Sequence, residues 1–194
     1  MLKKKNLDRN ILTNYRPISS LSFLSKFVER VVARRITDFL SMNDLLCPFQ
    51  SAYRIGHSTE TVFTHLLDEI ARSKNLRRSS CILFLDLSAA FDSIDPVILL
   101  DRLKQRFRLT GSVHKWLSSY LSNRSQIVRL NGFLSQFCPV FTGVPQGSVL
   151  GPLLFSLFVS PVSDLIDGYC MSHHLYADDI AIFTSFDLMA MMPR

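Results

Sequence analysis

Glycine and proline are scarce in this 194-residue chain, at 7 and 8 residues, which excludes a collagen-like or linker-like composition. Cysteine is scarcer still. Cys47, Cys81, Cys138 and Cys170 stand 34, 57 and 32 residues apart, so there is no Cys-x-x-Cys clamp and no disulfide partner is implied. Cys81 and Cys138 sit within apolar runs and read as buried thiols of a reducing compartment. A secretory signal is not expected, because the lysine-rich start has no apolar stretch behind it. Charge is missing altogether from residues 130–163. That gap does not make a membrane span: Pro139, Gly143, Pro145, Gly147, Gly151, Pro152 and Pro161 divide it. Its longest apolar part, residues 153–159, is far short of the roughly 20 residues a span needs. The stretch reads as core, and no membrane partner is expected.

What the chain does contain is 47% hydrophobic and 20% charged residues, enough to bury a core in one domain or two small lobes. Its net charge of +6 is unevenly placed. Residues 1–35 hold nine basic side chains, Arg16, Arg30 and Arg34 among them, against Asp8 and Glu29; the last 65 residues hold five aspartates and one basic residue, Arg194. Such a division suits one surface for a polyanion and another for a cation, or is ordinary solvated charge, and composition leaves both open.

Helical spacing of Leu24, Phe27, Val28, Val31, Val32, Ile36, Phe39 and Leu40 predicts an amphipathic helix with Glu29, Arg30, Arg34 and Arg35 on its outer face. Ser58 can cap a second helix whose inner stripe is Val62, Phe63, Leu66, Leu67 and Ile70. Residues 81–87 form a short apolar run that reads as a central strand buried on both faces. Helices are expected over 96–108 and 112–121. Strands near 126–130 and 137–142 meet at an Asn131-Gly132 turn. A long helix is expected over 149–165, followed by strands at 169–176 and 180–184 joined through Ala177-Asp178-Asp179. Strands and helices interleave without a regular β-α-β period, so the fold class is α+β.

Asp86 is the one charge in its apolar strand, where it needs a cation, an arginine or backbone donors. Asp178 and Asp179 occupy a hairpin tip at which adjacent like charges are a poor choice for stability. Carboxylates from the end of one strand and the tip of a hairpin, with no His or Cys among them, form a hard oxygen donor set suited to Mg²⁺. Two such ions, roughly 4 Å apart, serve in-line phosphoryl displacement. Asp92 and Asp95 read as N-caps of the following helix, and His173 and His174 as structural, since they lack partners at metal-ligand spacing.

Three segments, Phe84-Leu85-Asp86-Leu87-Ser88-Ala89-Ala90-Phe91-Asp92, Gly143-Val144-Pro145-Gln146-Gly147-Ser148-Val149-Leu150-Gly151-Pro152 and Tyr176-Ala177-Asp178-Asp179, occur in the order of the palm motifs of reverse transcriptases and resemble them. Asn14-Tyr15-Arg16-Pro17-Ile18-Ser19 and Gln50-Ser51-Ala52-Tyr53-Arg54-Ile55-Gly56-His57-Ser58-Thr59 resemble the fingers motifs of the non-LTR, LINE-type retrotransposon branch. The resemblance runs from Asn14 to Phe186. It implies a polymerase palm, an antiparallel sheet packed on helices, with partial and mainly helical fingers: residues 1–80 as fingers, 81–187 as palm and 188–194 as a truncated tail, the thumb being absent.

The implied activity is RNA-directed DNA polymerisation on an RNA template and DNA primer, with deoxynucleoside triphosphates and two Mg²⁺ ions, for which Mn²⁺ could substitute. By position in the motifs, Asp86, Asp178 and Asp179 are the catalytic, metal-holding acids, with Asp179 the weaker ligand. Arg54, Leu87, Phe91, Gln146 and Gly147 belong to the nucleotide site. Phe91 there would exclude a 2′-hydroxyl; its alternative role is core packing. Gly147 lets the backbone approach the nucleotide and Gln146 offers an amide, or the loop only shapes a turn. Arg54 suits phosphate oxygens. Arg16, Arg30 and Arg34 could track nucleic acid or brace the fingers. The setting implied is intracellular, with cytoplasm and nucleus both open. Three alternatives stand beside this reading: an inactive nucleic-acid-binding remnant, an RNA-dependent RNA polymerase, and a membrane-associated structural protein.

Overall fold

The computed structural model describes Asn6, Asp8, Ile11, Asn14, Tyr15 and residues 18–87, 90–130 and 132–187. Arg16, the turn residue Asn131 and the tail 188–194 lie outside the described residues. In chain order the elements are α1 (Phe23–Met42), α2 (Thr59–Asn75), β1 (Ser79–Asp86), α3 (Pro96–Gln105), α4 (Gly111–Leu121), β2 (Arg124–Gln126), β3 (Arg129–Leu130), β4 (Phe133–Leu134), β5 (Cys138–Val140), α5 (Leu150–Val159), α6 (Pro161–Asp167), β6 (Ser172–Tyr176) and β7 (Asp179–Phe186). The content is α+β, as expected. Two compact units form, residues 1–39 with 91–154 and residues 40–90 with 155–194.

The second unit is built on a three-stranded antiparallel sheet of order β1-β7-β6. β7 alternates its side chains between two apolar layers. Ala181 and Phe183 pack with Leu66 of α2, joined by Ile70 and Ile82, while Ile180 packs with Ile166 of α6 and Leu175, joined by Leu87, Val162 and Ile182. β7 is therefore the strand covered on both faces. β1, expected in that position, is an edge strand: Leu83, Phe84 and Leu85 are 50%, 66% and 41% exposed. An apolar run reports affinity for a sheet and carries no information about the order of strands, which pairing decides. The buried-thiol reading fails with it. All four cysteines are free, Cys47 half-buried and Cys81, Cys138 and Cys170 exposed.

α2 starts where Ser58 predicts, and the Ser58 N–H donates to Thr61 Oγ1 at 3.1 Å. Leu66 is buried and Val62 and Ile70 half-buried, whereas Phe63 and Leu67, expected on the inner stripe, are exposed. The single helix expected over 149–165 is two, because Pro161 opens α6 at its first turn, a position proline suits and a helix interior does not. By length and apolarity the 18 residues Leu150–Asp167 could cross a bilayer, but half of that stretch is buried inside the protein, as in a core helix.

In the first unit, Asp95 caps α3, its carboxylate accepting from Val97 N at 2.7 Å and Ile98 N at 3.4 Å, with Pro96 opening the helix. Leu99 and Leu103 of α3 and Leu117 and Leu121 of α4 are buried. The strands expected near 126–130 and 137–142 form a ribbon in two parts, β2 with β5 and β3 with β4. The Ser135 hydroxyl accepts the Val128 N–H at 2.9 Å between them.

α1 has the expected extent but turns another face inward. Leu24, Phe27, Val28, Val31 and Phe39 are exposed, while Glu29, expected outside, is 1% exposed. Its Oε2 accepts from Val149 N at 2.7 Å and Leu150 N at 3.2 Å, and the Ser25 hydroxyl donates to Oε1 at 3.1 Å. A carboxylate at the start of α5 meets amides that have no partner within their own helix, at the end where the helix dipole favours negative charge. The inward stripe is thus Ser25, Glu29, Val32, Ile36 and Leu40.

Candidate active site

The three acids converge within the second unit. β1 and β7 run antiparallel with Asp86 and Asp179 as the last cross-strand partners, which sets their Cα atoms about 4.5–5.5 Å apart. Directly opposed residues present their side chains on the same face of a sheet. Beyond this pair, Tyr176 of β6 partners Asp179, so β6 and β7 are joined by a two-residue loop, Ala177-Asp178. The Leu87 N–H donates to the Asp178 carbonyl at 3.0 Å, fastening the loop to the end of β1. Strand pairing thus makes neighbours of Asp86 and Asp179, which stand 93 positions apart along the chain.

Asp86 lies on exposed strand, so the burial cost expected for its charge does not arise. Asp178 is half-buried and Asp179 exposed. Partial burial, then the charges of Asp178 and Asp86, raise the Asp179 carboxyl above its ordinary value. Like charges in this arrangement favour a proton or a cation at their centre, and oxygen-only donors select a hard divalent ion. The chemistry of the donor set therefore fits Mg²⁺. Among the described residues, however, no three His, Cys, Asp or Glu side chains are gathered closely enough to hold an ion as they stand. Asp86 and Asp179 form the paired core of the site, and Asp178 stands next to it at the tip.

Arg54 is half-buried, and its Nη1 donates to the Cys47 carbonyl at 3.0 Å, which braces the guanidinium against its own loop. Leu87 contributes through its backbone, while its side chain packs on the Ile166, Leu175 and Ile180 cluster. Two residues of the 50–57 loop were not foreseen as part of the site. Tyr53 is one: burial, then the charges of Asp178 and Tyr176, raise its phenol, so the ring lies within electrostatic range of Asp178. Gln50 is the other, its Oε1 accepting the Ala177 N–H at 3.3 Å. Both lie in a segment already singled out, but nothing in the spacing indicates that this loop reaches the hairpin.

Phe91, Gln146 and Gly147 are brought together in the first unit. The Val144 N–H donates to the Phe91 carbonyl at 2.8 Å and the Gly143 N–H to Ile94 at 2.7 Å. Gly143 has φ +76°, and a Cβ there would stand 2.8 Å from both Asp92 Cα and the Phe91 carbonyl oxygen, so only glycine allows this contact. Gly147 has φ +94°. Asp92 is not a helix cap: its Oδ2 accepts from Gln146 Nε2 at 2.9 Å. That bond fixes the orientation of the Gln146 amide, using one of its two N–H donors and leaving the other N–H and the oxygen for further partners. Phe91 is half-buried. Arg30 and Arg34 are exposed on α1, Arg34 facing Asp38 at 3.9 Å, an exposed pair of small energetic worth.

His173 and His174 are structural, as expected, and more extensively bonded than a lone strand histidine. His174 Nε2 lies 2.8 Å from Ser51 Oγ and its Nδ1 2.9 Å from His65 Nδ1, while Ser51 Oγ also lies 3.1 Å from His57 Nδ1. His173 bonds to Ser163 through Nε2 and faces Asp167 at 3.3 Å through Nδ1. These contacts tie β6, which leads into the Ala177-Asp178 loop, to the 50–57 loop, α2 and α6.

Residues 2–188 match the family described as reverse transcriptase (RNA-dependent DNA polymerase). The chain is 34% identical over 191 residues to a probable RNA-directed DNA polymerase from transposon BS of Drosophila melanogaster, covering 95% of this chain and 21% of that protein. It is 30% identical over 190 residues to the RNA-directed DNA polymerase from mobile element jockey of the same organism, covering 95% and 20%. It thus spans about a fifth of the length of these relatives. Among solved structures, apo telomerase from Candida tropicalis, truncated from its C-terminal domain, superposes with a TM-score of 0.59 at 13% identity, over 81% of this chain and 33% of that one. That likeness shows a shared fold.

Proposed function

Because the chain belongs to the reverse transcriptase (RNA-dependent DNA polymerase) family, we propose that it carries the fingers and palm segments of an RNA-directed DNA polymerase of non-LTR retrotransposon type, acting in an intracellular setting. Residues 1–80 are the fingers portion and 81–187 the palm. The observation that carries the proposal is the partnering of Asp86 with Asp179 across two adjacent strands, at the foot of the loop that bears Asp178. Strand ends opposed in this way set fixed carboxylates that can hold the divalent cations a phosphoryl transfer needs.

In this reading Asp86, Asp178 and Asp179 hold divalent ions, Mg²⁺ or Mn²⁺. When bound, the metal supplies activation of the primer hydroxyl and neutralisation of the leaving pyrophosphate. The remaining work falls to the chain itself. Arg54 engages the triphosphate, for which its braced guanidinium is preorganised. Phe91 excludes a 2′-hydroxyl. Gln146, its amide held by Asp92, and Gly147 approach the templating base and the incoming nucleotide. Leu87 holds the Asp178 carbonyl. Arg16, Arg30 and Arg34 contribute salt-sensitive, sequence-independent contact with the RNA template and DNA primer.

Extension of a DNA primer on an RNA template, with Mg²⁺ and deoxynucleotides and with ribonucleotides as competitors, tests the proposal. The chain should incorporate deoxynucleotides in preference, and Asp86→Asn should lower the rate by about a thousandfold, equivalent to some 4 kcal/mol. Duplex binding without Asp86-dependent extension would identify a nucleic-acid-binding remnant instead. Preferential use of ribonucleotides would identify an RNA polymerase.

A further inference from the structure

Gln50 lies between α1 and α2 and is 7% exposed. Its backbone is pinned to β6 by a parallel bridge, in which the Leu175 N–H donates to Phe49 at 2.7 Å and the Ser51 N–H to Leu175 at 3.1 Å. Its side-chain Oε1 accepts two N–H groups, from Ala52 at 2.9 Å and from Ala177 at 3.3 Å. Two backbone donors on one atom require that atom to be the oxygen, which fixes the orientation of the carboxamide.

Ala177 is the first of the two loop residues between β6 and β7, and its φ is +56°. A hairpin of this length needs a positive φ at that position and ordinarily takes glycine there. An alanine in the left-handed region is held against its own preference. The hairpin tip is therefore not self-supporting. Its N–H is held by Gln50 and its second peptide carbonyl, that of Asp178, by Leu87 N at 3.0 Å, so that Asp178 sits between the two attachments and Asp179 directly follows the second.

We infer that Gln50 is a positioning residue for the carboxylate cluster: it clamps Ala177 in the left-handed conformation and so sets Asp178 and Asp179 against Asp86. The inference rests on the proposed metal-holding role of these acids. It assigns to a fingers-loop residue control over the geometry of the palm hairpin, without contact with the reacting groups.

Mn²⁺ binding by the full chain, measured by electron paramagnetic resonance for wild type, Gln50→Ala, Ala177→Gly and the double variant, separates the clamp from a general packing role. Loss of one such hydrogen bond should weaken Mn²⁺ binding about fivefold to tenfold in Gln50→Ala. In the Ala177→Gly background, where glycine adopts the positive φ unaided, the same substitution should cost no more than about twofold. A merely structural glutamine would show equal losses in both backgrounds, and that result overturns the inference. A second readout needs no variant: the Ala177 amide of wild type should exchange with solvent deuterium slowly, and exchange at the rate of an open loop refutes the clamp. If Asp86→Asn abolishes Mn²⁺ binding while Gln50→Ala leaves it unchanged, the clamp fails and the functional reading stands. If wild type binds no Mn²⁺, the functional reading fails, and Ala177 exchange alone decides the clamp.

Discussion

Acidification should loosen the unit that carries the carboxylates, and His174 sets the size of the effect. Burial, then the charges of His65, His173 and His57, push its imidazole down from 6.5 to about 4. An unfolded chain takes up the proton near pH 6.5, whereas the folded chain resists it until about pH 4, so the unfolded state binds more protons throughout that window. Stability is then fully present above pH 6.5 and is lost as pH falls toward 4, at about 1.4 kcal/mol per pH unit for one proton. Across the window the loss is roughly 3 kcal/mol, a large share of the margin of a domain this size. His173 acts in the same direction, chiefly through burial. The raised Asp179 carboxyl has the opposite sign and matters only at the acid end. Urea unfolding at several pH values between 7.5 and 4.5 measures the slope for wild type and for His174→Gln, which should lose about one proton's worth of pH dependence. Titration of the folded His174 ring by NMR gives the pKa directly. A ring that titrates near 6.5, or a variant with the wild-type slope, would refute the reasoning.

Gly143→Ala should destabilise the first unit by about 3 kcal/mol, because the added Cβ meets Asp92 Cα and the Phe91 carbonyl at 2.8 Å while φ is +76°. A denaturant midpoint within error of wild type would contradict that contact. Glu29→Leu should cost about 1–3 kcal/mol for each of the Val149 and Leu150 amides it leaves unpaired; Glu29→Gln, retaining one acceptor oxygen, should lose less, and thermal unfolding of the pair checks the order.

Much of the architecture was legible because it is written in local chemistry. Ser58 before α2 and the Asp95-Pro96 pair before α3 mark helix starts through groups that satisfy nearby amides. The hairpin that ends in Ala177-Asp178 is visible as two apolar runs joined by a short polar link. What could not be read is which face or edge each element turns inward. Both β1 and β7 are apolar runs, and only their pairing makes β7 the middle strand and leaves Phe84 exposed. The helical stripe of α1 is ambiguous between two faces until Glu29 finds the α5 amides, 120 residues away. Asp92 and Asp95 are equivalent candidates for a cap in the sequence, and the structure gives one to the helix and the other to Gln146.

The order of the motifs, their residue types and their spacing along the chain determined the family and named the three acids, because each motif is a local string whose chemistry does not depend on what packs against it. Tertiary structure alone decided that Asp86 opposes Asp179 in register, that the Ala177 turn is held in a strained conformation, and that Gln50 reaches it. Those facts depend on strand pairing and on hydrogen bonds between residues more than a hundred positions apart. Contacts at such separations leave no periodic trace in a single sequence, since any number of side chains at position 50 would be compatible with its immediate neighbours and only the distant hairpin distinguishes among them.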